Sequence, residues 1–566
     1  MTSNICKRPL DLSNFKMLFL VFAFLSKGEV SGQQLFTAPI DTPIHLAGTF
    51  GELRLNHFHS GIDFRTNGKE GMPVNSSAKG WISRVKVSPV GFGNVLYIDD
   101  YQGHTLVYAH LHNFIGPVFS YIDSAQKASQ SFEVELFPDS GRFTYEQGEL
   151  LGLSGNSGGS EGPHLHFEIR DRLTQEPLNP LLFNFNYKDT VAPDLKAFTI
   201  YTRRGRRIIP VNNVEINSPS DSICNLETEI KEIYLGVLAN DPDLLNENGV
   251  YSIKLSMDDS ILFDFSFNKF NFDETRYANA HADFIKYKGT SERIHRLYKL
   301  PGDSSSVFLN SGDGRILLID TLPHILKIEC SDISGNHTIL LVEIKRVGES
   351  STIAFSKGDQ IIPFGQNWDF IAPDGLKISI PNGALYQDEY FSYKGAVENV
   401  SYLSSVFSVL ENLTISLHKQ GKLSITFSKL SAINKGKYVI ARLDVSGKIR
   451  EVILPDSVTE DELEGRFRVG GRYTATIDTS PPVIQEIYSE LDPVDSLVYE
   501  SCIVKDDLSG LKSYNVFINT AWVVASYDAK KDKISWQKNF AKMGPDLFKI
   551  QLTDRCNNTV ELFFAE

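Results

Sequence analysis

The sequence predicts a mainly β chain of several domains, and three observations carry that prediction. At 566 residues the chain is too long for one hydrophobic core. Beyond Phe183, strand-sized apolar runs are punctuated by Gly, Asn, Asp and Pro, and few segments keep an apolar period of helix length. Two stretches far apart in the chain also repeat one another, so at least two modules share one plan. The expected organisation is an N-terminal β-sheet domain over 33–187, then two or three β-sandwiches at 188–347, 348–478 and 479–566.

The chain opens with Lys7, Arg8 and Lys16 ahead of the apolar run Met17–Leu25, which is too short to span about 30 Å of hydrocarbon; Val30-Ser-Gly32 then offers small residues for cleavage. Residues 1–32 read as a secretory signal peptide rather than a short membrane anchor. The mature protein is expected to be exported, to the periplasm or cell envelope, with no stable membrane span. Cys6 precedes the apolar run and cannot become a lipidated first residue. Export permits disulfides among the remaining Cys224, Cys330, Cys502 and Cys556, and buried free thiols are an equal expectation.

In the first domain the histidines are concentrated. Eight of the thirteen lie between His45 and His166. His59-Ser-Gly-Ile-Asp63 and Pro163-His164-Leu-His166-Phe-Glu168 together offer three ligands that suit zinc and leave one histidine over. On a strand rising about 3.3 Å per residue, His59 and Asp63 would stand roughly 13 Å apart. A turn at Ser60-Gly61 is therefore predicted, with Ile62 and Phe64 opening a buried strand. The second motif needs no turn. Apolar and polar residues alternate from Leu165 to Arg170, so His164 and His166 share one strand face, and one can bind metal while its neighbour reaches the water. His110 follows the strand-like run Thr105–Ala109, where it can orient or deprotonate a nucleophile. His57, His104 and His112 read as bystanders. Gly155, Gly158 and Gly162 read as tight turning before the His164 strand, because no lysine follows in a phosphate-loop position.

Several separate motifs in this order resemble the LytM/lysostaphin-type zinc peptidases. The matching segments are His59–Asp63, Tyr108-Ala-His110-Leu111, Gly155-Asn-Ser-Gly158 ahead of Gly162-Pro-His164-Leu-His166-Phe-Glu168, and the closing Leu178-Asn179-Pro180. The resemblance covers residues 50 to 183. It implies that His59, Asp63 and His166 bind Zn2+, that His110 and His164 are catalytic, and that the reaction is hydrolysis of a peptide bond in a bacterial peptidoglycan crosslink. One departure is a long polar connection, Asp123–Ser131 followed by Phe132–Phe137, which reads as a lid shaping access to the site.

In the tail, Tyr438–Val445 and Ile449–Ile453 around Ser446-Gly447 predict a hairpin, and Leu423–Phe427 alternates as a strand. The repeat pairs Val191–Leu195 with Ser480–Ile484, Asn248–Ser252 with Ser509–Ser513, and Leu326–Asp332 plus Asn336 with Phe548–Asp554 plus Asn558, which marks two immunoglobulin-like modules. Their Asp residues read as turn formers and strand terminators rather than calcium ligands. Such modules serve as spacers or docking surfaces for an envelope protein partner.

The net charge of −14 argues against nucleic-acid binding and against adhesion to anionic wall polymers through bulk charge. Three readings compete: a zinc endopeptidase of the cell wall, a non-catalytic LytM-like regulator of other wall hydrolases, and a surface-binding protein whose tail carries the main role. The presence of all five site residues favours the first.

Overall fold

The computed structural model describes residues 36–41, 43–183, 185, 187–216, 223–243, 245–309, 312–348, 360–397, 402–410, 416–426, 436–538 and 546–565. The expected leader lies outside them. The first domain is built on a nine-stranded sheet. In chain order its strands include β1 (Leu46–Gly48), β2 (Ile62–Arg65), β3 (Gly80–Val87), β4 (Val95–Asp100), β5 (His104–Ala109), β6 (Val134–Leu136) and β7 (His164–Asp171). Across the sheet they run β1-β2-β7-β5-β4-β3-β6, every neighbour antiparallel.

The period of two sorts the side chains by face. Ile62, Phe167 and Tyr108 stand opposite one another in register and point into the apolar core, with Ile82, Val85, Leu96, Ile98 and Leu106. Asp63, His166 and Ala109 form the next cross-strand row, which must therefore face the other way. The fold thus places Asp63 and His166 side by side before any hydrogen bond is considered.

The connection read as a lid has a different role. It forms helix α1 (Pro117–Ser129), where Pro117 starts the helix and Val118, Ile122 and Gln126 bury one stripe at a spacing of four. The chain then enters β6, which pairs with β3 at the edge of the sheet remote from β2. This segment extends the sheet and does not cover the histidines.

Among the described residues the tail is β, as the punctuated apolar runs predict, apart from short helical turns at Phe272–Thr290. After the first domain, strands β8 (Asp194–Arg204) and β9 (Glu232–Pro242) belong to one sheet, and β11 (Pro323–Ser331) with β12 (His337–Arg346) to a second; the two-residue strand β10 (Glu247–Asn248) pairs with β9. Two five-stranded sheets follow between Trp368 and Ile477, including the hairpin of Tyr438–Leu443 with Ile449–Ile453, which turns at Gly447 with φ +87. Two four-stranded sheets complete the chain; they contain β13 (Val498–Lys505) and β14 (Leu547–Asp554). Cys224, Cys330, Cys502 and Cys556 are all buried.

One apolar core runs from Phe36 to Ile344 without a break, through the first domain and the module after it. Phe50 stacks on Phe270 at 4.8 Å between centroids, and Phe58 meets Phe267 at 5.4 Å. Gly51, at φ +78, leaves room for that packing: a Cβ there would lie 2.2 Å from Phe267 Cγ. Phe267 is wholly buried. Phe267→Ala is expected to lower the unfolding free energy by about 3 kcal/mol or more, read from urea denaturation monitored on both regions. Unfolding of one region unaffected by the substitution would refute a shared core.

Candidate metal centre

Two elements present the site. Strand β7 supplies His164, His166 and Glu168 on one face, and the bend at Ser60-Gly61 brings His59 back over β2. The predicted turn is present, and Gly61 is the residue that makes it fit: a Cβ there would lie 2.3 Å from the Phe167 carbonyl oxygen and 3.0 Å from the His166 ring.

The structure brings His59, Asp63 and His166 together and buries them to 2%, 3% and 4% exposure. His59 Nε2 lies 3.0 Å from His166 Nδ1 and 3.1 Å from Asp63 Oδ1, and His166 Nδ1 lies 2.8 Å from the same Asp63 oxygen. The outer nitrogens fix the tautomers. His59 Nδ1 is 2.8 Å from the Thr49 carbonyl and His166 Nε2 is 2.9 Å from Glu168 Oε1, so both outer nitrogens must donate. In neutral imidazoles the inner nitrogens are then bare, and three acceptors converge on one point with no proton among them.

Supporting residues hold this geometry. Arg54 Nη2 donates to Asp63 Oδ2 at 2.6 Å, leaving Oδ1 for the histidines. Glu168 is wholly buried and accepts from Ser60 Oγ and from Arg170. The electrostatics follow. Burial alone would lift Asp63, but the facing His59 and His166 and the Arg54 guanidinium hold its carboxyl well below the usual range. Burial and then Arg54 push His59 down to about 4. Burial also opposes the charged form of His166, yet the hydrogen bonds to Asp63 and Glu168 outweigh it and raise the ring to about 9. Glu168 is held down to about 2, burial being outweighed by Arg170 and His166. Without an ion the inner nitrogen of His166 therefore keeps a proton on Asp63, and a cation entering the triangle takes that proton's place.

His110 and His164 stand beside the triangle, with their ring centroids 4.9 Å apart. His110 follows β5 in a left-handed conformation, φ +62, and its Nδ1 is 2.9 Å from the Ser157 carbonyl. Burial, then the neighbouring imidazoles His166 and His164, lower it to about 3, so it is neutral near pH 7. His164 Nδ1 lies 2.8 Å from the Gly162 carbonyl, and its Nε2 is 3.5 Å from Asp63 Oδ1. The glycines ahead of it shape the turn: a Cβ on Gly155 would meet the His112 nitrogen at 2.3 Å, and Gly158, at φ +70, lies against Gly93. His57, His104 and His112 lie outside the cluster. His104 pairs with Asp100 at 2.9 Å, His112 with Glu70 at 2.9 Å, and His57 with the Leu55 carbonyl.

Sequence reasoning gave no role to Glu168 or Arg54. Strand alternation puts Glu168 on the face of His166, a signal that was open to reading. Arg54 lies on a separate two-residue strand and has no such signal. A groove lined by Phe92, Tyr97, Arg84, Lys86, Arg170 and Phe272 opens beside the cluster. Its Phe92 ring stacks on His166 at 5.2 Å.

The fold and site define a β-sheet domain with a buried His-Asp-His centre. Comparison with known proteins places it further. An uncharacterised metalloprotease of Haemophilus influenzae is 25% identical over 191 residues, covering 32% of this chain and 34% of that protein. The DD-carboxypeptidase/endopeptidase Mpg of Neisseria meningitidis is 28% identical over 151 residues, covering 27% and 28%. The cell division protein DipM of Caulobacter vibrioides is 30% identical over 156 residues, covering 27% and 21%. The chain thus spans about a third or less of the length of these relatives. Its N-terminal region is a LytM-type peptidase domain. Residues 364–478 match the model of the Zu5-like domain.

Gly61→Ala is expected to push β2 away from β7 at a cost of about 2 kcal/mol, measured as a fall in thermal unfolding midpoint. An unchanged midpoint would show that the close approach at Gly61 is not needed.

Proposed function

We propose that this protein is a zinc-dependent endopeptidase that hydrolyses peptide bonds in bacterial peptidoglycan crosslinks, acting after export to the cell envelope. The observation that carries the reading is the convergence of two imidazole nitrogens and one carboxylate oxygen, each of the three pairs 2.8 to 3.1 Å apart. Ligands of one tetrahedral zinc, each about 2.0–2.2 Å from the ion, stand about 3.4 Å from one another. The donor set therefore fits the ion, and mixed nitrogen and oxygen ligands suit catalytic zinc better than a cysteine-rich structural site.

His59, Asp63 and His166 would hold the metal, which supplies Lewis acidity and lowers the pKa of water towards roughly 7. The chain's own groups do the rest. His110, with Nδ1–H on the Ser157 carbonyl, presents a bare Nε2 that can take a proton from the attacking water. His164, with Nδ1–H on the Gly162 carbonyl, turns its Nε2 towards the same space, where as a neutral ring it can accept from and orient the water, and as an imidazolium it can donate to charge growing on the carbonyl oxygen. Arg54 keeps Asp63 ionised, and Glu168 fixes the His166 ring. No covalent enzyme intermediate is required. The groove carries Arg84, Lys86 and Arg170 beside Tyr97 and Phe92, a lining that accepts an extended peptide bearing carboxylates. The β modules would position the domain or dock an envelope protein.

About one zinc per chain is expected from metal analysis, and none after Asp63→Ala. Glu168→Gln should weaken zinc by about 10–100-fold. Digestion of purified peptidoglycan, followed by mass analysis of the fragments, should show cleavage by the wild type and none by His110→Ala or His164→Ala, both with zinc retained. Intact peptidoglycan in the presence of a zinc-loaded wild type would favour the regulator reading and end the enzymatic one.

A further inference from the structure

Each of the two repeated modules holds a cluster of oxygen ligands that the peptidase chemistry does not use. Carboxylate oxygens of Asp189, Asp241 and Asp332 lie within 4.8 Å of one another, and those of Asp478, Asp506 and Asp554 do the same. The members come from corresponding places in the two modules. Asp189 and Asp478 lie on the segments that lead into them, ahead of the first strand. Asp241 is near the end of β9 and Asp506 just follows β13, while Asp332 follows β11 and Asp554 closes β14. The surrounding hydrogen bonds repeat as well. Asn336 Nδ2 donates to the Asp189 carbonyl at 3.1 Å and to Asp332 Oδ2 at 2.7 Å; Asn558 Nδ2 donates to the Asp478 carbonyl at 3.1 Å and to Asp554 Oδ2 at 2.6 Å.

Turn formation accounts for part of this. Asp332 Oδ1 accepts from the Asn336 amide, Asp554 Oδ1 from the Asn558 amide, and Asp506 Oδ2 from Leu508 and Gly510. It leaves other oxygens unexplained. Asp241 is 7% exposed, yet its Oδ1 has no hydrogen-bond partner among the described residues. Asn248 stands directly opposite Asp241 in the antiparallel pairing of β9 with β10, so both side chains lie on one face of the sheet. Asn248 is 2% exposed and its amide oxygen also lacks a partner. Asp506 Oδ1 repeats the omission in the last module. Burying a carboxylate and an amide oxygen without donors is costly, and three carboxylates held together add like-charge repulsion.

We propose that each cluster is a calcium site, formed by Asp189, Asp241 and Asp332 with the Asn248 amide oxygen in one module, and by Asp478, Asp506 and Asp554 in the other. All-oxygen donors suit a hard cation, and the absence of His and Cys from either set disfavours transition metals. Calcium–oxygen distances of 2.3–2.6 Å let two ligands of one ion stand up to about 5 Å apart, as these do. One ligand in each set belongs to the incoming segment. A bound ion therefore ties that segment to the strand ends of its module.

The test uses the whole protein in buffer stripped of divalent ions, with calcium chloride as the probe. Saturable binding of about two calcium ions per chain at submillimolar to millimolar concentration is expected, with a rise of several degrees in melting temperature. Asp241→Asn and Asp506→Asn should each remove one ion, and the double variant both ions and the melting shift. In calcium-free buffer Asp241→Asn should melt no lower than the wild type, because the amide relieves repulsion without changing shape. A lower melting point there would count against the clustered-charge reading. The proposal is overturned if the wild type shows no saturable binding and no shift, or if the double variant keeps them. Equal binding of magnesium at the same concentration would overturn the choice of calcium.

Discussion

The structure of the site depends on one register. Strand β7 pairs with β2 so that His166 faces Asp63, and a one-residue slip of β7 would send His166, with His164 and Glu168, into the apolar core. The register is secured from the opposite face, where Ile62, Phe167 and Tyr108 line up in the core. Apolar packing on one side of the sheet thereby fixes polar geometry on the other. The outer hydrogen bonds then decide what the geometry can hold, since neutral imidazoles that donate to Thr49 and Glu168 present their lone pairs inward.

Much of this was legible in the residues. The alternation from Leu165 to Arg170 and the impossibility of reaching Asp63 from His59 along a strand were both visible, and the strand and the bend are where those arguments put them. Arg54 and the Thr49 carbonyl were not visible, because a lone arginine on a two-residue strand has no period and a backbone carbonyl has no residue identity. The polar connection misled for a physical reason. Its polar residues form the outer face of a helix whose buried stripe begins at Val118, ahead of the stretch that reads as polar. In the tail, Asp residues at turns do form turns. The sequence pattern could not show that one oxygen of Asp241 would be buried with nothing to accept from.

The ligand loop also rests on the module that follows the peptidase domain. Thr49, whose carbonyl orients His59, exchanges hydrogen bonds through its hydroxyl with the Gly249 carbonyl and amide, at 3.0 and 3.1 Å. The Asn56 amide donates to Asn279, the Leu53 carbonyl accepts from Tyr287, and Arg293 pairs with Glu52 at 2.8 Å. Residues 49–56 thus take their shape from both bodies, and the uninterrupted core beneath them agrees. A peptidase sheet cut off near Phe183 would expose Phe50 and Phe58 and release the carbonyl that sets the His59 tautomer.

That dependence gives the acidic clusters a mechanical meaning. Gly249 follows Asn248, the residue opposite Asp241, so the contact that steadies Thr49 sits one residue from the oxygen assigned to calcium. Occupancy by a divalent cation would fix Asn248 against Asp241, and through Gly249 would fix the backbone on which Thr49 leans. The path is short and made of hydrogen bonds and one β pair, so it needs no rearrangement of either sheet. Order in the first repeated module and order in the His59 loop are then parts of one local equilibrium, and a cation bound at Asp241 would act on His59, Asp63 and His166 by removing disorder rather than by moving them.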